Sequence, residues 1–255
     1  MKVRIGDRFL AYDSYGSGKP LVLLHAFPLD GRMWRQTAQA LSGQCRVIVP
    51  DMRGFGESDL GQGDHSIADM ADDVAALLDC VSIPRATVGG LSLGGYVALA
   101  FAARHPTRLE RLILADTRAA ADSDAARAGR AEALDLVEKA GVAAFVERQL
   151  VALLSPGASE AIRNEVRSLG NQSPGAVRAG ILALRDRPDR RPDLAAITCP
   201  TLVIVGKEDR ISPPAEMAGI AASIPGAYLV EIAGVGHLSN LESPADFLTA
   251  IENFI

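Results

Sequence analysis

The chain has 255 residues, 48% of them apolar, with 26 basic side chains against 31 acidic ones and a formal charge of −5. That is enough apolar material for one elaborated core and too much for a disordered chain, and the absence of any like-charge block argues against a nucleic-acid arm or an acidic tail. Cys45, Cys80 and Cys199 are odd in number and widely spaced, so neither a disulfide framework nor a zinc site is expected, and no metal is expected elsewhere. The opening residues Met1-Lys2-Val3-Arg4 are too charged for a secretory signal, and no apolar run reaches the ~20 residues of a membrane span. A cytoplasmic protein with no membrane and no nucleic-acid partner is the expectation.

The first segment, Val3 to Tyr15, alternates and ends in Gly16-Ser17-Gly18-Lys19-Pro20, which predicts an antiparallel hairpin at a sheet edge. From Leu21 onward, short apolar runs and amphipathic stretches take turns. Leu21 to His25 reads as a buried strand, Met33 to Leu41 as a helix, Arg46 to Asp51 as a strand and Ser66 to Val81 as a helix. Ala86 to Gly90, Gly94 to Arg104 and Leu112 to Asp116 continue as strand, helix, strand. The rhythm resumes with Thr201 to Gly206, Pro214 to Ile224, Ala227 to Ile232 and Pro244 to Ile255. This alternation predicts an α/β fold: a mostly parallel central sheet flanked by helices. From Thr117 to Thr198 no strand-like run occurs, and Ala, Arg, Glu and Leu recur at helical spacing over Ala125 to Ala140, Val142 to Leu154, Ser159 to Leu169 and Pro174 to Asp186. Residues 117–198 therefore read as an all-helical insertion into a core made of 1–116 and 199–255.

The strand ending near Gly90 runs into Gly90-Leu91-Ser92-Leu93-Gly94-Gly95 and then into an Ala-rich helix, the setting of a G-x-S-x-G nucleophile elbow. A serine hydroxyl is a weak nucleophile at neutral pH and needs an adjacent imidazole, itself held in one tautomer by a carboxylate. His237, in Gly234-Val235-Gly236-His237-Leu238 after the last strand, is the candidate base. Asp209, in Gly206-Lys207-Glu208-Asp209-Arg210 after the preceding strand, is the candidate acid, with Glu208 as its rival and Asp116 third. His25 is expected to orient its own loop, His105 to cap a helix end, and His65 to lie in a polar loop. Acyl transfer also needs donors for a developing oxyanion, and the backbone N–H groups of Leu93 and Phe27 are placed to supply them. Gly16-Ser17-Gly18-Lys19 is no phosphate loop, because Pro20 replaces the required Ser or Thr and Asp13 the first glycine. The charged run Arg185 to Arg191 reads as a solvated linker in preference to a holder of a substrate carboxylate.

With these residues in place, the chain resembles the α/β-hydrolase-fold superfamily, in particular its serine esterase and lactonase members with a helical cap. The likeness rests on Gly90-x-Ser92-x-Gly94 and on His25-Ala26-Phe27-Pro28, similar to the family's His-Gly-x-Pro loop. It rests also on Asp51-Met52-Arg53-Gly54-Phe55-Gly56-Glu57-Ser58, and on Gly236-His237 followed by Glu242-Ser243-Pro244. Ala26 departs from the usual glycine. The resemblance implies that residues 117–198 form a cap over the active site and that no cofactor takes part. It implies hydrolysis of a small-molecule ester, or alternatively of a lactone of the enol or acyl-homoserine type, or a slow-turnover ligand receptor built on the same pocket.

Overall fold

The computed structural model describes residues 1–63 and 65–255. Its sheet runs in the order β1-β2-β4-β3-β5-β6-β7-β8, from β1 (Lys2–Ile5) and β2 (Arg8–Tyr15) through β4 (Cys45–Pro50) and β3 (Lys19–Leu24). It continues with β5 (Ala86–Leu91), β6 (Leu109–Ala115), β7 (Thr201–Gly206) and β8 (Tyr228–Ile232). The first two strands pair antiparallel as a hairpin, and β2 meets β4 antiparallel; every later pairing is parallel. The fold is thus the expected mostly parallel sheet flanked by helices. The chain enters the parallel part at Lys19, two residues before Leu21, because Lys19 and Pro20 already pair with Cys45 and Arg46.

Side-chain alternation along each strand divides the interior in two. Val22, Leu24, Ile48, Val88, Leu112, Leu114, Val203 and Val205 face one side of the sheet, while Leu21, Leu23, Val47, Val49, Ile113, Leu202 and Ile204 face the other. Both faces need covering, which is why these strands read as continuous apolar runs. On the first face lie α2 (Ile67–Cys80), α3 (Leu93–Arg104) and α7 (Pro214–Ser223); on the second lie α1 (Arg35–Leu41) and α9 (Pro244–Glu252). Helix α3 is buried from Leu93 to Ala102, and its small residues let it nest between the sheet and α2. Helix α2 starts with a capping box in which Ser66 and Asp69 satisfy each other's backbone N–H groups. The stretch expected to be helical from Met33 begins instead as a 3-10 turn over Gly31–Trp34, fixed by the Asp30 carboxylate on the Arg32 N–H. Helix α8 (Ser239–Glu242) is a single turn between β8 and α9.

Between β6 and β7 the chain forms α4 (Asp124–Leu153), α5 (Glu160–Leu169) and α6 (Pro174–Arg185). Gly141, at φ 81° and ψ 173°, breaks α4 into the two helices that the sequence predicts. Ser123, Ser159 and Ser173 each cap the helix that follows by accepting from a backbone N–H three residues on. The two ends of this insert are bonded to each other, and its far flank is bonded to the loops after β3 and β4. Where it leaves and rejoins the sheet, the Arg190 N–H donates to the Ala119 carbonyl at 2.7 Å and the Arg187 guanidinium donates to the Ala120 carbonyl and the Asp122 carboxylate. On its opposite flank, Gln172 donates to Asp30 at 2.8 Å and accepts from the Gly56 N–H at 2.9 Å. Among the described residues, no helix is long and apolar enough to cross a membrane.

Candidate active site

Ser92 lies at the turn from β5 into α3 with φ 56° and ψ −112°, a backbone region that side-chain-bearing residues rarely occupy. Two observations show what holds it there. A Cβ on Gly90 would sit 2.1 Å from the Gly94 carbonyl group, and a Cβ on Gly94 would sit 2.1 Å from the Leu24 oxygen, so both positions admit only glycine. The Thr117 hydroxyl also donates to the Ser92 carbonyl at 2.8 Å, and the Ser92 N–H donates to the Ala115 carbonyl at 3.0 Å. The approach of Gly94 to Leu24 also brings the start of α3 against the end of β3. Leu93 and the loop that carries Phe27 are thereby neighbours.

Asp209 and His237 follow β7 and β8, which are adjacent and parallel, so both emerge at the sheet edge where Ser92 stands. His237 Nδ1 donates to Asp209 Oδ2 at 2.8 Å, and both side chains are buried. The carboxylate is itself well held. Its Oδ1 accepts from the N–H groups of Ile211 and Ser212, and its Oδ2 accepts from the Ser212 hydroxyl at 2.5 Å. The rival Glu208 is exposed. Ser212 was not singled out by the sequence; its D-x-x-S spacing from Asp209 is the signal that marks it.

Burial alone would lower the affinity of His237 for a proton, but the Asp209 charge and hydrogen bond, with Asp116 and Glu242 adding, carry its pKa above the ordinary imidazole value. Burial likewise pushes Asp209 up, and the His237 charge with the hydrogen bonds from His237 and Ser212 brings it below the usual carboxylate value. With Nδ1–H committed to the carboxylate, His237 Nε2 carries the lone pair. That nitrogen is buried and has no hydrogen-bond partner among the described residues. The third carboxyl of this region, Asp116, accepts from the Gly206 N–H at 2.8 Å and from the Ser239 hydroxyl. Burial drives its pKa up to about 7 against the pull of His237.

The remaining histidines are occupied otherwise. His25 donates from Nδ1 to the Ala26 carbonyl and accepts at Nε2 from the Met52 N–H, so it ties its loop to the Asp51–Ser58 turn. His105 is the C-cap of α3, its backbone N–H donating to the Phe101 carbonyl, while its Nε2 pairs with Asp72 at 2.8 Å. His65 is buried, not solvated, and accepts at Nδ1 from Arg53, whose guanidinium also pairs with Asp73. Within the Arg185 to Arg191 run, Arg187 alone is buried, and the other residues are exposed or partly exposed. Arg187 is 4% exposed, lies 4.4 Å above the Tyr96 ring and forms a buried pair with Asp122, which Arg130 also engages. Charge spacing missed this because the partner acid lies 65 residues away.

Leu93, next to Ser92, belongs to a buried apolar cluster. The Phe27 ring packs edge-on against Phe55 and at 5.8 Å against Phe145 of α4, in one buried cluster with Leu93, Val137, Val142 and Ile181. Among the described residues, no group of three or more His, Cys, Asp or Glu side chains is arranged to hold a metal ion.

Residues 19–244 match the family model described as the alpha/beta hydrolase fold. A putative carbamate hydrolase RutD from a Caulobacter species is 33% identical over 233 residues, covering 89% of this chain and 86% of that protein. Among solved structures, a thermophilic esterase from Thermogutta terrifontis, with malate bound, is 38% identical and superposes with a TM-score of 0.95 over 99% of this chain and 97% of that one. The enol-lactonase from Burkholderia xenovorans is 29% identical with a TM-score of 0.92, covering 100% of this chain and 99% of that one. With a family match across most of its length and relatives that are hydrolases, the chain belongs to the α/β-hydrolase-fold family.

Proposed function

We propose that the protein is a serine hydrolase that cleaves a small carboxylic ester through an acyl-enzyme. Ser92 is its nucleophile, His237 its base and Asp209 the carboxylate that orients the base. The observation that carries this reading is the buried Asp209–His237 pair, emerging at the sheet edge where Ser92 is held at positive φ.

In the proposed cycle the ester carbonyl oxygen faces the N–H groups of Phe27 and Leu93. His237 Nε2 takes the Ser92 proton as Oγ bonds to the carbonyl carbon, and the oxyanion forms against those two donors. The imidazolium, steadied by Asp209, passes the proton to the departing alkoxide, and the C–O bond breaks to leave an acyl-serine and an alcohol. Water, deprotonated by the same nitrogen, attacks the acyl carbon; the proton returns to Ser92 as the carboxylic acid leaves. Residues 117–198 act as a cap that supplies the acyl pocket, over a core formed by 1–116 and 199–255.

The buried apolar cluster that contains Leu93 and Phe27 favours an uncharged acyl group. Arg187 and Arg130 are already committed to Asp122, and Arg118 to Glu216. Lactone opening is the second reading, favoured by the full-length likeness to an enol-lactonase; the same steps then release one hydroxy acid. Turnover of 4-nitrophenyl acetate tests the mechanism. Sustained release that falls ~10⁶-fold in Ser92→Ala is the expected result. Full activity in that variant overturns the role of Ser92, and a single slow equivalent from the wild type points to a receptor instead. Parallel assays on esters and lactones of matched acyl length separate the two substrate classes.

A further inference from the structure

The base of the proposed triad sits on a loop that is bonded directly to the insert. The last turn of α4 ends with the Leu153 carbonyl, a group that a helix leaves without an internal partner. It accepts from two N–H groups of the catalytic loop, His237 at 3.1 Å and Leu238 at 3.2 Å. Two residues beyond Leu153 and one residue before His237, the two segments share an acceptor. The Glu242 carboxylate takes the Gly236 N–H at 2.9 Å and the Ser155 N–H at 3.0 Å. The backbones are so close that a Cβ on Gly236 would lie 2.6 Å from the Ser155 nitrogen.

Two consequences follow from where Glu242 lies. Its bond to Gly236 closes residues 236–242 into a ring that contains His237, and its own N–H donates to the Leu238 carbonyl across that ring at 3.0 Å. Its bond to Ser155 pins the ring to the point where the chain leaves α4. No side chain of Glu242 need touch substrate for this to matter, because a base misplaced by ~1 Å costs ~10² in rate.

We propose that Glu242 is a positioning residue for His237: by bridging the Gly236 and Ser155 N–H groups, it fixes the height of the imidazole above the sheet edge and makes the insert and the base one mechanical unit. The inference rests on His237 being the base of the proposed hydrolase. Three carboxyl groups face His237, namely Asp209 after β7, Asp116 after β6 and Glu242 on α8, and each favours its protonated form. A charge-removing change at Glu242 therefore leaves a signature in the pH profile that a purely structural loss does not.

The test compares wild type, E242Q, E242D and S92A on 4-nitrophenyl acetate across pH, with a thermal melt of each. E242Q keeps the shape but turns an amide NH₂ toward one of the two donors. The expected result is a kcat lower by ~10–10² at nearly unchanged KM, with the acid limb of kcat/KM moved to lower pH. E242D keeps the charge but is one methylene too short to bridge, so its limb stays at the wild-type position while kcat falls. A folded E242Q with wild-type kcat, or with a lowered kcat and an unmoved limb, overturns the proposal. If E242Q shows no cooperative melt, E242D decides, and wild-type kcat in it is the overturning result. S92A separates the two levels: turnover retained there removes the hydrolase reading itself, whereas an inactive S92A beside an unaffected E242Q removes only the role of Glu242.

Discussion

The loop after β3 and the loop after β8 each carry a histidine that is almost without solvent exposure, 0% for His25 and 1% for His237, yet the two imidazoles are driven in opposite directions. His25 spends both nitrogens on neutral backbone groups, and burial lowers its pKa, so it is an uncharged strut. His237 gives one nitrogen to a buried carboxylate, which outweighs the same burial and raises its pKa, and its other nitrogen has no partner among the described residues. Burial is common to both, so the partner at Nδ1 decides which imidazole can accept and hold a proton during a reaction.

The most severe way to break that contrast is Asp209→Asn. With an amide in place of the carboxylate, His237 loses both its tautomer and the charge that raises its pKa, and kcat is expected to fall by ~10⁴ in steady-state ester hydrolysis. A loss below tenfold would show that the carboxylate is not what separates the two histidines. A smaller effect is expected at Asp116, where burial beside His237 raises the carboxyl from 3.8 to about 7. The folded state then holds a proton that the unfolded chain releases between those values. This stabilisation is full below 3.8 and is lost as pH rises through about 7, amounting to up to ~4 kcal/mol. Asp116→Asn should flatten that slope, seen as a smaller drop in melting temperature between pH 5 and pH 9 than in the wild type.

At His25 the change is structural. His25→Leu leaves the Met52 N–H and the Ala26 carbonyl without their partner, at ~1–3 kcal/mol for each group, and a denaturant midpoint measures it. Activity in the folded fraction should stay within about tenfold of wild type; a loss like that of Asp209→Asn would give His25 a part in the chemistry. The finest test leaves the sequence intact. Because the His237 pKa lies above the 6.5 of a free imidazole, the acid limb of wild-type kcat/KM should have its midpoint above that value. A midpoint below it would mean that Asp209 fails to overcome burial.

How much of this was legible in the sequence varies residue by residue. The elbow at Ser92 was legible because strand, glycine pair and helix are contiguous, and the glycines are demanded by contacts within five residues and with the adjoining strand β3. Choosing between Glu208 and Asp209 was harder, since neighbours after a strand face different ways and only the pairing of β7 with β8 turns one of them toward His237. Ser212, which holds the Asp209 carboxylate, was marked only by its D-x-x-S spacing, and Arg187, buried against Asp122 and Tyr96, carried no readable sign, because its partners are brought to it by the folding of the insert. Glu242 stood in view as part of a motif, but its two N–H donors come from segments 87 and 6 residues away.

The sequence by itself determined the alternation of strand and helix, the helical insert after β6, the strained serine turn and the order in which serine, acid and histidine follow one another. All of these are encoded by local periodicity and by glycines placed where the backbone has no room for a side chain. Only the tertiary structure decided which carboxylate meets His237, which histidine shares a buried carboxylate, and how the insert is fastened to the loop that carries it. Those outcomes depend on strand register and on backbone donors brought together from distant parts of the chain, where a difference of one residue turns a side chain to the opposite face.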